Sequence, residues 1–343
     1  MSLYVNIEKK LGDFNLKVEF DAGNQVLGIL GASGCGKSVT LKCIAGIIKP
    51  DKGQIILDDR VLFDSQKHIN LSPQKRNMGL LFQNYALFPN MNVRDNIRMG
   101  ARHNKDKVDY IIEKMYLKGL EKLKPDKLSG GQKQRTALAR ILVGEPDILM
   151  LDEPFSALDD YLRWNVEMEV SDIIKEFGKT TLLVSHSRDE VYRMCHQICV
   201  IDKGKSSPAE KVKDMFENPH TLSACKISGC KNYSRIIKTG DTKVKALDWN
   251  VVLECNRTIN DDIKYIGLRS HFIRISENTG DNIIECHIER IIEDVFTMVI
   301  MLKTPGNSLL RLEMDKEKWN NKMCVGDAID VFAAPNDIIL LKE

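Results

Sequence analysis

The chain has 343 residues, of which 43% are hydrophobic and 29% charged, and its formal net charge is +2. This length predicts two domains, and so small a net charge gives no support to a nucleic-acid partner. The sequence has no run of about 18 apolar residues, and its N-terminus does not have the basic-then-apolar order of a signal peptide. We therefore expect the chain to stay in the cytosol. The nine cysteines lack regular spacing, which favours reduced thiols over disulfides or a structural zinc site.

The first predicted elements are those of an α/β protein. Apolar residues alternate over residues 3–7 and 14–20, which predicts a half-buried antiparallel pair of strands. A continuous apolar run at 26–30 predicts a buried strand. After a glycine-rich turn, residues 38–45 are expected to form a helix that ends at Gly46. Strand, loop and helix in this order are typical of a parallel α/β sheet.

The rest of the chain divides into a helical insertion, more buried strands and a β-rich end. Residues 148–151 and 181–184 predict buried parallel strands, and 94–124 predicts an inserted helical region. We predict a first domain at 1–220, with a helical subdomain at about 84–145, and a second domain at 221–343. A linker is expected near 206–219. The predicted β segments beyond it are 243–254, 264–275, 283–292, 297–303, 309–314 and 328–332.

A phosphate-binding loop follows the strand at 26–30. The sequence GASGCGKS fits the pattern G-x-x-x-x-G-K-[ST] between a predicted strand and a predicted helix. Its backbone amides could hold phosphate, Lys37 could reach the β- and γ-phosphates, and Ser38 could bind Mg²⁺. A glycine-rich turn of no further meaning is the alternative. The candidate nucleotide-binding residues are Gly31, Ser33, Gly34, Cys35, Gly36, Lys37, Ser38 and Val39.

Two acidic residues follow the buried strand at 148–151. Open α/β sheets bind their ligands at the carboxyl ends of their strands, where Asp152 and Glu153 lie. Asp152 is expected to hold Mg²⁺, and Glu153 to activate the attacking water as a general base. An acidic loop without a catalytic role is the alternative.

The segment LSGGQKQR, residues 128–135, resembles the signature motif of ATP-binding cassette (ABC) ATPases. Ser129 and Gln132 also fit a capping box, which would present Gly130 and Gly131 at a helix N-terminus that can bind an anion. In the family this motif contacts ATP bound to the opposite subunit. The resemblance therefore implies a head-to-tail dimer of this chain with two ATP molecules and Mg²⁺ between its subunits.

Other positions match the family one by one. Gln83 is similar to the glutamine that meets Mg²⁺ and the attacking water, so the implied metal ligands are Ser38, Gln83 and Asp152. Residues 156–159 resemble the loop through which the two subunits sense each other. His186 resembles the histidine that contacts the γ-phosphate, and Ser187 and Glu190 are expected to cap the following helix. The implied catalytic residues are Glu153, His186 and Gln83.

Two apolar features each have two interpretations. The family places an aromatic ring on the adenine, and only Phe14 or the more distant Tyr4 is available here; Phe14 could equally pack in the core. The apolar run at 85–91 could also be core. In importers of this family, however, it helps to form the groove for a membrane subunit, so Phe88→Ala is expected to lower transport more than ATPase activity.

The resemblance covers most of the first 220 residues and is nearest to the ATPases of molybdate importers. It implies an α/β P-loop NTPase with an antiparallel β subdomain, a helical subdomain and a C-terminal all-β barrel-like domain of the TOBE or Mop type. The pointers to molybdate are residues 61–65, 71–76 and 266–271. The implied partners are membrane permease subunits and, indirectly, an external substrate-binding protein, with the chain peripheral to the cytoplasmic face of the cell membrane. Alternatives are sulfate, iron or polyamine import, a soluble ABC ATPase without a transport role, and an ATP-dependent sensor.

Overall fold

The computed structural model describes residues 2–101, 106–156, 158, 160–276, 282–319 and 323–343, with the backbone alone at 160–162. The chain forms two compact units, Met1–Val212 and Lys213–Glu343. This boundary lies before the predicted one at 220/221. Within the described ranges, no helix is both long enough and apolar enough to cross a bilayer.

One mixed sheet organises the first unit, in the order β6-β5-β4-β1-β2-β11-β10-β3-β9-β8-β7, with β12 also paired to β10. Its strands are β1 (Leu3–Leu11), β2 (Phe14–Ala22), β3 (Val26–Leu30), β4 (Lys52–Leu57), β5 (Arg60–Asp64), β6 (Ile69–Asn70), β7 (Met78–Leu81), β8 (Ile148–Asp152), β9 (Thr181–Ser185), β10 (Gln197–Asp202), β11 (Lys205–Ser206) and β12 (Glu210–Lys211). The helices of this unit are α1 (Lys37–Ala45), α2 (Pro73–Arg76), α3 (Val93–Gly100), α4 (Lys107–Lys114), α5 (Gly130–Leu142), α6 (Asp160–Phe177) and α7 (Arg188–Met194).

The antiparallel part of the sheet contains the strand pair that the alternating apolar residues predict. β1 pairs with β2 from Leu3 opposite Ala22 to Leu11 opposite Phe14, and also with β4. Alternate residues of β1 are buried, and those between them are partly exposed. One face of these strands therefore packs on the core, because side chains alternate across a strand.

The parallel part consists of β10, β3, β9, β8 and β7. Every residue of β3, β8 and β9 is buried, as predicted from their continuous apolar runs. In β8, Ile148 and Met150 belong to one hydrophobic cluster, and Leu149 and Leu151 to another. A parallel sheet covered on both faces explains why these strands lack alternation.

The chain between β7 and β8 carries α3, α4 and α5, which pack together through Val93, Ile97, Ile112 and Leu138. This confirms a helical insertion. The predicted linker at 206–219 contains the boundary between the two units, but it is not irregular, because β12 and the end of β11 lie in it and pair with β10. Strands of two residues are too short to show any periodicity in the sequence.

The second unit contains two five-stranded sheets, ordered β15-β14-β13-β16-β22 and β17-β21-β18-β19-β20. Trp249, Ile266 and Ile300 belong to the hydrophobic core that the sheets share. These sheets confirm the predicted C-terminal β domain, and short helices accompany them. Its elements are α8 (Val212–Glu217), α9 (Leu222–Ile227), β13 (Asn232–Lys238), β14 (Lys243–Ala246), β15 (Val251–Glu254), β16 (Tyr265–Leu268), β17 (Arg274–Ile275), β18 (Ile283–Glu293), β19 (Thr297–Lys303), β20 (Leu309–Asp315), β21 (Ala328–Phe332) and β22 (Ile338–Leu341).

Candidate nucleotide-binding and hydrolysis site

The glycine-rich loop lies between the end of β3 and the start of α1, as predicted. Gly34 and Gly36 have φ angles of 78° and 111°, a region that favours glycine. Gly36 also has no room for a side chain, because an added Cβ would lie 2.5 Å from Leu16 Cδ1. Ser33 and Gly34 are exposed, whereas Cys35 is buried. The loop thus presents backbone amides at the N-terminus of α1, where an anion is stabilised.

Lys37 is buried and turns back over this loop. Its Nζ donates to the carbonyl oxygens of Gly31 and Ala32, at 2.8 and 3.1 Å. The same nitrogen lies 3.7 Å from Oε1 of Glu153. The ammonium group is therefore held between the phosphate loop and the carboxylate predicted to be catalytic.

Ser38 and Asp152 form the predicted metal-binding pair. Ser38 Oγ donates to Oδ1 of Asp152 at 2.9 Å, and Asp152 is buried at the carboxyl end of β8. Burial raises the pKa of Asp152, and the hydrogen bond from Ser38 opposes this rise. Two hard oxygen donors fit Mg²⁺, which binds few protein ligands and fills its other positions with water and phosphate. No group of three or more His, Cys, Asp or Glu residues that could hold a metal ion occurs in the described ranges.

Glu153 is the residue on which the predicted catalytic side chains converge. Gln83 Nε2 lies 3.4 Å from its Oε2, and His186 Nδ1 also lies 3.4 Å from that oxygen. Its backbone has φ 46°, a left-handed value that disfavours residues with a side chain. A hydrogen bond from Glu153 N to Val184 O, 3.0 Å long, fixes this residue against β9. Strained backbone of this kind is typical of catalytic positions.

His186 follows β9 directly and is held by the start of α7. Ser187 caps α7 by accepting from the amide of Glu190, as predicted. Ser185 Oγ donates to Oε2 of Glu190 at 2.6 Å and accepts from the amide of Ser187 at 2.8 Å. Burial raises the pKa of Glu190, which the bond from Ser185 opposes. The turn that carries His186 is therefore fixed on both sides.

The signature segment forms the predicted capping box at the start of α5. Gln132 N donates to Ser129 Oγ, and Ser129 N donates to Oε1 of Gln132 at 2.9 Å. Ser129 is exposed, Gly130 is partly exposed and Gly131 is buried. Among the described residues, the hydrogen bonds of Ser129 all lie within residues 129–133. Gln83, Lys37 and His186, by contrast, contact Glu153. Residues 157 and 159 of the predicted subunit-sensing loop lie outside the described residues.

Comparison with known proteins gives concordant results. The family model described as ABC transporter matches residues 14–156. The spermidine/putrescine import ATP-binding protein PotA of Clostridium acetobutylicum is 33% identical over 98% of this chain and 95% of its own length. The chain belongs to the ABC transporter ATPases. Members of this family are the ATP-hydrolysing subunits of transporters.

Two further relatives of the ABC ATPase are similar over parts of it. The molybdenum import ATP-binding protein ModC of Paramagnetospirillum magneticum is 36% identical over 63% of this chain and 61% of its own length. The PotA protein of Bacillus thuringiensis subsp. konkukian is 36% identical over 75% of this chain and 81% of its own length.

Solved structures resemble the cassette as well. CbiO1 from Clostridium perfringens, part of the ABC transporter complex cbiONQ, has a TM-score of 0.53 at 27% identity, covering 62% of this chain and 90% of its own. The dimeric bacterial ABC transporter cassette MJ0796 has a TM-score of 0.52 at 26% identity, covering 62% of this chain and 99% of its own.

The two aromatic candidates for adenine stacking have different surroundings in this ABC ATPase. Phe14 lies beside the phosphate loop, since an added Cβ on Gly36 would be 3.3 Å from its Cζ. Tyr4 instead lies 3.5 Å from Glu19 through its hydroxyl, and it accepts from Asn6. Phe14 is also packed on the hydrophobic core. Of the two, Phe14 is the ring next to the nucleotide loop.

An apolar groove lies between the cassette core and the helical insertion. Phe88 and Met99 line it with 42% and 57% of their surface exposed, and Ile47 contributes a third exposed apolar side chain. Its volume is about 420 Å³. The sequence predicted the contribution of Phe88 but not that of Ile47, Met99 or Arg140. These residues come together only in three dimensions, so no local pattern indicates them.

Proposed function

We propose that this chain hydrolyses ATP in a dimer of two copies and so drives the import of a small charged solute. The convergence of Lys37, Gln83 and His186 on Glu153 supports the hydrolytic role. A carboxylate surrounded by a cation, an amide and an imidazole, beside a phosphate loop, is equipped to orient and deprotonate water.

Each residue of the site has one task in this proposal. The amides of the phosphate loop and Lys37 bind the phosphates, and Ser38, Asp152 and Gln83 would hold Mg²⁺. Bound Mg²⁺ neutralises charge that develops on the phosphate oxygens. Glu153 accepts a proton from the attacking water through Oε2, the oxygen that Gln83 and His186 approach. His186 then orders Glu153 relative to the γ-phosphate.

The signature residues Ser129, Gly130, Gly131 and Gln132 serve the nucleotide of the second copy. Two observations support this. Ser129 is exposed, and within the part of the chain that the structure describes it bonds only to the start of its own helix. The similar cassette MJ0796 forms a dimer and has also been captured in a post-hydrolysis state with ADP and Pi, at a TM-score of 0.51.

We propose that the groove lined by Ile47, Phe88 and Met99 receives a segment of a membrane permease subunit. Exposed apolar side chains in a concave surface are typical of a site for an amphipathic helix. The chain would then be peripheral to the cytoplasmic face of the membrane. The second unit would serve in regulation or dimerisation, as the barrel-type domains of similar importers do.

Two cargoes have support, and a polyamine has more. The PotA relative of Clostridium acetobutylicum matches 98% of this chain, including the second unit. Molybdate is supported by the sequence resemblance and by the ModC relative, which matches 63%. The sequence segments that pointed to molybdate include core positions, since Phe63, Arg76 and Leu268 are buried. Such residues stabilise the fold and carry little information on cargo.

Deletion of the gene separates these cargoes. Cells with and without it are assayed for uptake of radiolabelled spermidine and, at limiting molybdate, for molybdenum content by mass spectrometry. A loss of spermidine uptake that the intact gene restores and Glu153→Gln does not would support polyamine import. A fall in molybdenum content with the same pattern would support molybdate import. If both uptakes are unchanged, neither cargo is correct.

A further inference from the structure

The chain just after Gln83 makes a strained turn. Tyr85 and Ala86 adopt the left-handed conformation in succession, with φ angles of 58° and 45°. Neither is a glycine, so the Cβ atom of each disfavours this backbone. Consecutive strained residues persist only where surrounding contacts hold them.

Arg140, on the C-terminal part of α5, supplies these contacts. Its Nη1 donates to the carbonyl oxygen of Ala86 at 2.7 Å, and its Nη2 donates to that of Tyr85 at 2.9 Å. A planar guanidinium can bind two neighbouring acceptors at once, which an ammonium group on a flexible stem cannot do with the same geometry. Burial lowers the pKa of Arg140, consistent with a guanidinium removed from water to make these bonds.

The same short segment reaches both the hydrolytic site and the groove. On one side, Gln83 contacts Glu153, and the Tyr85 hydroxyl donates to the carbonyl of Pro154 at 3.3 Å. On the other side, the Phe88 ring centroid lies 5.5 Å from Cζ of Arg140. Arg140 therefore lies between the residue that contacts the catalytic carboxylate and the aromatic ring exposed in the groove.

A second clamp fixes the segment beyond Phe88. Asn96 is fully buried; its Oδ1 accepts from the amide of Phe88 at 2.8 Å, and its Nδ2 donates to the carbonyls of Phe88 and Met91. With the far end fixed by Asn96, the position of Gln83 depends on the turn that Arg140 holds.

We propose that Arg140 is a positioning residue for ATP hydrolysis: by clamping the left-handed turn at Tyr85 and Ala86, it holds Gln83 against Glu153. This inference rests on the proposed hydrolytic role of Glu153. Since α5 begins at the signature segment and carries Arg140 near its other end, a displacement of α5 would move the clamp and Gln83 with it.

The test compares Arg140→Met, Arg140→Lys and Ala86→Gly in the full-length chain. Arg140→Met is expected to lower kcat about tenfold with KM for ATP changed less than about threefold, because misplacement of Gln83 affects the attack on phosphorus more than binding. Arg140→Lys should recover only part of the loss. In the Arg140→Met background, Ala86→Gly should restore kcat severalfold, since glycine adopts the left-handed turn without the clamp.

The rescue by Ala86→Gly separates this role from a structural one, because glycine in a turn does not repair a damaged core. Arg60→Met is the matched control, since Arg60 bonds to Arg76 O and Asp147, away from Gln83. Should Arg140→Met fail to fold, Ala86→Val provides the test. Ala86 is exposed, and a β-branched side chain disfavours the left-handed turn, so kcat should fall with folding intact.

Unchanged kcat in Arg140→Met or in Ala86→Val would overturn the inference, as would a loss that Ala86→Gly does not relieve. Glu153→Gln, measured in parallel, tests the proposed function by itself. If Glu153→Gln still hydrolyses ATP, the assignment of the site is wrong; if it is inactive and Arg140→Met is normal, only the role of Arg140 is wrong.

Discussion

Gln83 Nε2 lies 3.4 Å from Oε2 of Glu153, and the same amide nitrogen donates to Ser156 Oγ at 3.2 Å. Ser156 Oγ in turn donates to the backbone carbonyl of Glu153 at 2.9 Å. Gln83, Ser156 and Glu153 therefore form a closed ring of contacts. The glutamine between the sheet and the helical insertion is therefore connected directly to Glu153, the proposed general base.

Glu153→Gln is expected to lower the ATPase kcat by at least about a hundredfold, because an amide cannot accept the proton of the attacking water. ATP binding should persist, since Lys37 and the phosphate loop are unchanged. The measurements are steady-state ATPase activity and binding of a fluorescent ATP analogue. Near-normal turnover with intact binding would remove Glu153 from the mechanism.

Gln83→Ala is expected to reduce kcat less, by about tenfold, since Lys37 and His186 still contact Glu153. The double variant Gln83→Ala with Glu153→Gln should be no slower than Glu153→Gln alone, because residues that act as a unit are not additive. A further loss of similar size in the double variant would show that Gln83 acts independently of Glu153.

Asp152→Asn should separate stability from activity. Burial raises the pKa of Asp152, so at pH 7 the folded state carries an ionised group that it disfavours relative to the unfolded chain. This cost diminishes as the pH falls through the raised pKa, and the neutral amide removes it at all pH values. We expect a Tm higher by about 2–4 °C at pH 7, a smaller gain at pH 4 to 5, and loss of Mg²⁺-dependent ATPase activity.

Calorimetry of the Asp152→Asn and wild-type chains at several pH values checks this prediction. Asp147→Asn is a suitable control, since Asp147 is partly exposed and bonded to Arg60. A Tm gain in Asp152→Asn that does not depend on pH would contradict the stated cause.

The sequence predicts where the side chains of the proposed hydrolytic site lie, because its parts are local motifs on recognisable elements. The order strand, glycine loop, helix determines where Lys37 and Ser38 lie, and a buried strand that ends in Asp152 brings this carboxylate to the same sheet edge. The contacts of Arg140 with the turn at Tyr85 are of another kind. They join residues distant in the chain through backbone carbonyls, which carry no side-chain signature.

The same reasoning explains why the sequence does not predict the short strands near residues 206–219. β11 and β12 are two residues each and depend on pairing with neighbouring strands, β11 with β10 and β2, and β12 with β10. Strands of the second unit such as β14 and β18 were predicted more closely, since apolar residues alternate along them.

Phe88→Ala should lower transport in cells further than it lowers the ATPase activity of the isolated chain. The exposed ring contributes to the groove, so its loss is expected to weaken a permease contact while Gln83 stays against Glu153. Tyr116→Ala serves as the control, because Tyr116 is an exposed aromatic residue that does not line the groove. Equal losses of transport and ATPase activity in Phe88→Ala would argue against a coupling role.

Mixing two inactive variants tests whether the site is shared between copies. Lys37→Ala disables the phosphate loop of its own chain, and Ser129→Arg places a bulky cation in the signature segment. If each nucleotide lies between the loop of one copy and the signature of the other, a heterodimer of these variants contains one fully intact site. The mixture should then recover ATPase activity that neither variant shows alone.

The control mixes wild type with the double variant Lys37→Ala with Ser129→Arg. Both sites of that heterodimer are damaged, so the ATPase activity should not rise above that of the wild type in the mixture. Failure of the first mixture to recover activity, with heterodimers shown by mass spectrometry, would mean that each copy binds and hydrolyses ATP without the signature of its partner.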